Sequence, residues 1–101
     1  MSEISKAKAL GLLKELAEEA HALRLKIMES PEFMRWQRDV PTAIGLIFNE
    51  SKGHAGEFSA ITFLSPTGTA DRKYYLAALI KSKALLESMA REVEEFWDGS
   101  A

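Results

Sequence analysis

The sequence predicts an all-α helical bundle with two long helices, a Pro-kinked middle helix, and a short helix followed by an aromatic-anchored loop. Three observations predict it. Apolar residues recur at steps of three and four over long stretches near both ends of the chain. Between them Phe33, Trp36, Val40, Ile44, Ile47 and Phe48 keep the same spacing. Six of the nine aromatics (Phe33, Trp36, Phe48, Phe58, Phe63 and Tyr74) fall between positions 33 and 74, on both sides of loops that cannot bury themselves.

The first helix is expected to start near Ser2 or Ser5, whose hydroxyls suit the free N–H groups of a first turn. Its apolar stripe reads Ile4, Ala7, Leu10, Leu13, Leu16, Ala17, Ala20, Leu23 and Ile27, and Ala9 adds little to it. Gly11 weakens this helix by up to about 1 kcal/mol relative to alanine, too little to break so long a pattern. Ser30-Pro31 ends it, because the residue before proline resists helical geometry while Pro31 suits the first position of a new helix capped by Ser30. The second helix turns Phe33, Trp36, Val40, Ala43, Ile44, Ile47 and Phe48 inward. Pro41 is expected to kink it rather than divide it near Asp39, since the apolar spacing crosses the proline without a slip.

Asn49 suits a left-handed terminator. Ser51 to Glu57 reads as one short turn of helix capped by Ser51. Ile61 to Leu64 is β-prone but isolated, so a packed extended segment is expected rather than a sheet. Ser65-Pro66-Thr67-Gly68-Thr69 is a loop by composition. The last helix starts near Thr69 or Asp71 and runs to about Trp97. Its stripe is Tyr75, Leu79, Ser82, Leu86, Met89, Val93 and Phe96, flanked by Tyr74, Ala78, Leu85 and Trp97.

A chain of 101 residues supports one core, so residues 1–101 form a single helical domain. Apolar content of 47% with 28% charged residues is that of a globular protein and excludes disorder. With no cysteine there is no disulfide, thiolate chemistry or cysteine-zinc site, and a cytoplasmic address is the expectation. Met1-Ser2-Glu3 leads straight into a charged amphipathic helix, without the apolar core of a secretory leader. A net charge of -2 gives no general pull toward nucleic acid or anionic membrane.

Candidate chemistry is thin. Glu18-x-x-His21 has the spacing of half a carboxylate-bridged di-metal site, but the sequence holds no second copy. His54 lies between Glu50 and Glu57 with no nucleophile motif nearby, and reads as a turn histidine. Gly53-His54-Ala55-Gly56 matches a GxxG clamp without the strands such a clamp needs. Arg35 and Arg38 flank Trp36, yet Trp36 falls on the apolar stripe and belongs to the core. No cofactor, metal site or catalytic residue is expected, and the chain reads as a non-enzymatic protein-interaction module. The alternative is a nucleic-acid binder using Arg72, Lys73, Lys81 and Lys83 in the basic first half of the last helix.

The order Phe33-x-x-Trp36, Val40, Ile44, Ile47-Phe48, Ser51, Phe58, Ile61-x-Phe63, Tyr75 and Leu85-Leu86-Glu87 resembles a helical accessory module. That module stands beside TIR-like nucleotide-binding domains and other effectors of prokaryotic conflict systems. The likeness runs from Phe33 to Trp97, with Asn49 where the module usually has glycine. It implies an all-helical fold and an accessory role in antiviral defence, separate from the effector enzyme.

The last helix is electrically split, with Arg72, Lys73, Lys81 and Lys83 early and Glu87, Glu92, Glu94, Glu95 and Asp98 late. That order opposes the helix dipole at both ends, and an antiparallel neighbour would compensate it. A helix of some 27 residues reaches about 40 Å and overhangs a sphere of this chain length. Self-association as a homodimer or higher symmetric oligomer follows as an expectation, through Leu12, Leu25, Met28, Ala78, Leu85 and Ser88.

Overall fold

A computed structural model describes residues 4–27, 30–48, 53–68 and 71–97. The expected positions Ser2, Met28, Asn49, Glu50, Ser51, Thr69 and Asp98 lie outside the described residues. Four α-helices follow in order: α1 (Lys6–Ala22), α2 (Pro31–Phe48), α3 (His54–Ser59) and α4 (Arg72–Phe96), with a single 3-10 turn at Leu23–Leu25. There is no strand among the described residues, and Ile61 to Leu64 is extended chain packed on the bundle through Phe63.

Local chemistry sets three of the helix starts as expected. The Ser5 hydroxyl accepts from the Lys8 N–H at 3.2 Å, the Ser30 hydroxyl from Phe33 at 3.2 Å, and the Asp71 carboxylate from Lys73 at 2.9 Å. α2 runs unbroken through Pro41. The Thr42 hydroxyl just beyond it donates to the Arg38 carbonyl at 3.2 Å.

α1 packs antiparallel to α4 and makes the most extensive interface of the fold. The antiparallel sense follows from contacts at both ends. Lys6 Nζ donates to the Glu94 and Trp97 carbonyls at 2.9 and 3.2 Å, and the Tyr75 hydroxyl donates to the Leu23 carbonyl at 2.8 Å. α2 lies parallel to α4, since Phe33 meets Tyr75 at one end (ring centroids 5.2 Å apart) and Phe48 meets Trp97 at the other (6.3 Å).

Trp36 is the hub of the core. It is fully buried, and its indole N–H donates to the Leu16 carbonyl of α1 at 3.0 Å. Its ring lies 6.0 Å from Phe33, 5.7 Å from Phe58 and 6.2 Å from Phe63, the last two edge-on, as aromatic quadrupoles prefer. One side chain thus ties α2 to α1, α3 and the loop after it. Every residue expected inward on α2 is buried.

Several expectations are corrected. α1 stops at Ala22 rather than continuing to Ile27, because the chain tightens and leaves the helix axis to reverse into α2; Ile27 ends up exposed. Ala9 is buried and Ala7 is not: Ala9 stands one helical turn from Leu13 on the inward face, while Ala7 is about 200° around from Ala9. α3 starts at His54 rather than Ser51, and Gly53 precedes it in the left-handed conformation, φ 75°, open to glycine without strain. Phe96 points to solvent, 78% exposed, and the contact with Phe48 is made by Trp97, where the helix has ended.

The long helices are accommodated by an elongated molecule. The molecule is a rod of 46 × 24 × 20 Å, and α1 and α4 cover each other along its length. The charge order of α4 is answered within the chain. Arg72, misplaced for its own helix, donates to the Lys26 carbonyl at 3.3 Å and to the Arg24 carbonyl at the end of the antiparallel α1 segment. Lys6, equally misplaced at the start of α1, serves the last carbonyls of α4. Within the chain, α1 is an antiparallel neighbour of the kind that this charge order calls for.

Two substitutions check this account. Trp36→Ala is expected to destabilise the fold by about 3–5 kcal/mol in urea unfolding, and an unchanged midpoint would remove Trp36 from the core. Gly11 lies on the outward face of α1, and a Cβ there meets nothing within 4 Å. Gly11→Ala should therefore stabilise by roughly 0.5–1 kcal/mol.

Candidate functional site

The expected self-association residues do not share one face. Ala78 is buried in the core, and this corrects its assignment to a free surface: it stands on the inward side of α4, one turn from Ser82, whose hydroxyl donates to its carbonyl at 2.8 Å. Leu12 of α1 and Leu85 of α4 are partly covered and packed on the core. Ser88 is exposed on the outer face of α4. Leu25 is 84% exposed at the end of the bundle, and Met28 lies outside the described residues.

The basic residues of α4 are dispersed as well. Arg72 is engaged with the carbonyls that end the α1 segment, and Lys83 Nζ meets Glu87 at 2.7 Å one turn on. Lys73 and Lys81 point from other sides of the helix, so the four cations form no single phosphate-facing stripe.

The histidines are committed to local partners. His54, placed at the start of α3 rather than in a turn, packs against Phe48 with ring centroids 4.3 Å apart and the rings tilted by 59°. Its Nδ1 lies 2.9 Å from Glu57 and its Nε2 3.3 Å from Glu92 of α4. Each ring nitrogen faces a carboxylate, so this side chain pins α3 to α4 and has no nitrogen left over for a substrate. The Glu57 and Phe48 contacts were open to sequence reasoning by proximity; the Glu92 contact spans 38 positions and was missed. His21 Nε2 takes a hydrogen bond from Arg24 at 3.0 Å, while Glu18 lines the α1–α4 groove. No three carboxylate or imidazole groups converge on a point suited to a metal ion among the described residues.

Three surface features remain. The first is apolar. Of the eight large apolar residues exposed in the described structure, Leu25, Ile27, Met34, Leu64 and Tyr74 belong to one end of the rod. Arg72 holds the 24–26 segment to the start of α4, and Phe33 holds the starts of α2 and α4 to Phe63, with centroids 5.2 Å apart in both cases. The five exposed residues are immediate neighbours of those anchored positions. Burial pushes the Tyr75 phenol up, against the opposing charge of Arg72, which marks how closely this end is packed beneath its surface.

The second feature is the groove between α1 and α4, with a cavity volume of ≈ 670 Å³ and a floor of Leu13, Ala17 and Ala90. Its rim mixes both signs: Lys14 and Glu18 face Glu87, Arg91 and Glu94. The third is a groove of ≈ 230 Å³ between α1 and α2, with Leu12, Leu16, Ala43 and Leu46 below Glu15, Glu19 and Asp39. No known protein family, curated protein or solved structure matches this chain.

The acidic rim has a measurable consequence. Burial raises the Glu19 carboxyl above its ordinary range, Glu15 and Asp39 add to the rise, and Arg35 opposes it. A carboxyl raised on folding binds its proton more tightly in the folded state. Its effect therefore favours folding at low pH and turns unfavourable as pH rises from 4.5 through the raised value. Glu19→Gln is expected to melt above the parent at pH 7 and to lose that advantage at pH 3, in thermal scans followed by circular dichroism. An unchanged difference between the two pH values would separate Glu19 from this repulsion.

Proposed function

We propose that this chain is a non-enzymatic protein-interaction module that self-associates through the apolar end of its bundle. The observation that carries the reading is the gathering of Leu25, Ile27, Met34, Leu64 and Tyr74 at that end. Exposed apolar groups are ordinary when scattered, but a gathered set is the usual mark of a surface that is covered in the working assembly. The scaffold beneath it is rigid: Phe33, Phe63 and Tyr75 interlock directly below, so the end presents a preformed surface rather than one ordered on contact.

A second copy suits this end because a two-fold contact lets one patch cover itself, with each subunit's apolar end as the other's lid. The likeness of the Phe33 to Trp97 pattern to accessory modules of prokaryotic conflict systems supports the same reading. In it the chain assembles and recruits, and a separate effector supplies the chemistry.

Light scattering after size exclusion tests this directly. The wild-type protein is expected at twice the 11.2 kDa chain mass, or a higher multiple, at high micromolar concentration. Leu25→Glu with Ile27→Glu, both at exposed positions, should return it to the single-chain mass with its melting temperature unchanged. A wild-type monomer at that concentration overturns self-association. An oligomer indifferent to the double variant moves the contact away from this end.

A further inference from the structure

We propose that the groove between α1 and α2 docks a cationic helical segment of a partner protein, with an apolar side chain of that segment against Leu12 and Leu46 and a lysine or arginine among Glu15, Glu19 and Asp39. This rests on the reading of the chain as an interaction module, but it uses a different surface from the apolar end.

The occupant's chemistry follows from the walls. Leu46 is 59% exposed on α2, and Leu12 is partly covered on α1. They give the groove an apolar stretch too small for a protein interface alone, so the charged stretch must contribute specificity. Glu15, Glu19 and Asp39 bring three carboxylates to one rim, and none of them belongs to an ion pair among the described residues. Arg35 is the cation felt by Glu19, and it does not outweigh them. Like charges this close are held together by the backbone, and an incoming cation relieves the repulsion that the fold leaves in place.

Spacing specifies the form of the ligand. Leu12 and Glu19 are seven residues apart on α1, two helical turns or about 10 Å. A docked helix meets that separation with an apolar residue and a lysine or arginine two turns apart on one face, the groove-bound mode of amphipathic helices. The α1–α4 groove is larger, but its rim alternates in sign and selects no charge.

The test is selection of a displayed random peptide library on the wild-type protein, with enriched peptides measured by fluorescence anisotropy. Peptides pairing apolar residues with lysine or arginine are expected. Their affinity should fall by roughly tenfold or more on the variant Glu15→Gln, Glu19→Gln, Asp39→Asn, and should weaken with added salt. Melting of that variant checks its fold. Leu46→Gln, at an exposed position, supplies a second variant that leaves the charges alone and should also weaken binding. No enrichment, enrichment of acidic or uncharged peptides, or equal affinity for both variants and the parent would overturn the proposal. Basic peptides binding a wild-type monomer would retain the groove and remove only self-association.

Discussion

The indole of Trp36 is the constraint on which the fold depends. A large aromatic side chain buried in a small bundle has to satisfy both its area and its single polar atom. Here the ring meets Phe33, Phe58 and Phe63 while its N–H reaches the Leu16 carbonyl across the interface. The hydrogen bond fixes the height of α2 against α1, because a donor this deep has no solvent to turn to. The aromatic contacts then determine where α3 and the following loop can lie. Segments with little regular structure of their own are held by their side chains to an element that has it.

The long antiparallel pair adds a second constraint of a different kind. α1 and α4 both carry cations near their starts, where each helix dipole disfavours them. Side by side and reversed, each cation reaches the last carbonyls of the other helix: Lys6 those of α4, Arg72 those ending the α1 segment. What is unfavourable within one helix is favourable across two. Separately, His54 lies between Glu57 and Glu92 and ties the short α3 to the acidic half of α4.

These constraints leave the surface unevenly finished. One end of the rod collects apolar side chains, and one groove collects carboxylates. Neither feature strengthens the isolated fold; exposed leucine and isoleucine bury nothing, and clustered carboxylates repel. The proposed binding role would account for both with one idea. The rigid core behind the apolar end and the fixed helices beside the groove keep the ordering entropy of such contacts low.

The sequence by itself determined the helical class, the capped start at Ser30, the other two long-helix starts to within a choice of Ser2 or Ser5 and of Thr69 or Asp71, and the inward face of α2. Each of these is local: a cap acts over three residues and a stripe repeats every three or four. It was silent or misleading where the answer lay across the chain. Ala9 and Ala7 differ in burial because one faces the core and the other does not, and small side chains give periodicity little to register. Phe96 read as core from its spacing, but only the packed ends reveal that Trp97 takes the place against Phe48. The charge order of α4 was visible, yet composition cannot tell whether an antiparallel neighbour is another molecule or another helix. Only the tertiary structure brings α1 into that place, because the contacts of Arg72 and Lys6 join residues from 46 to 91 positions apart, a separation that only the folded chain closes.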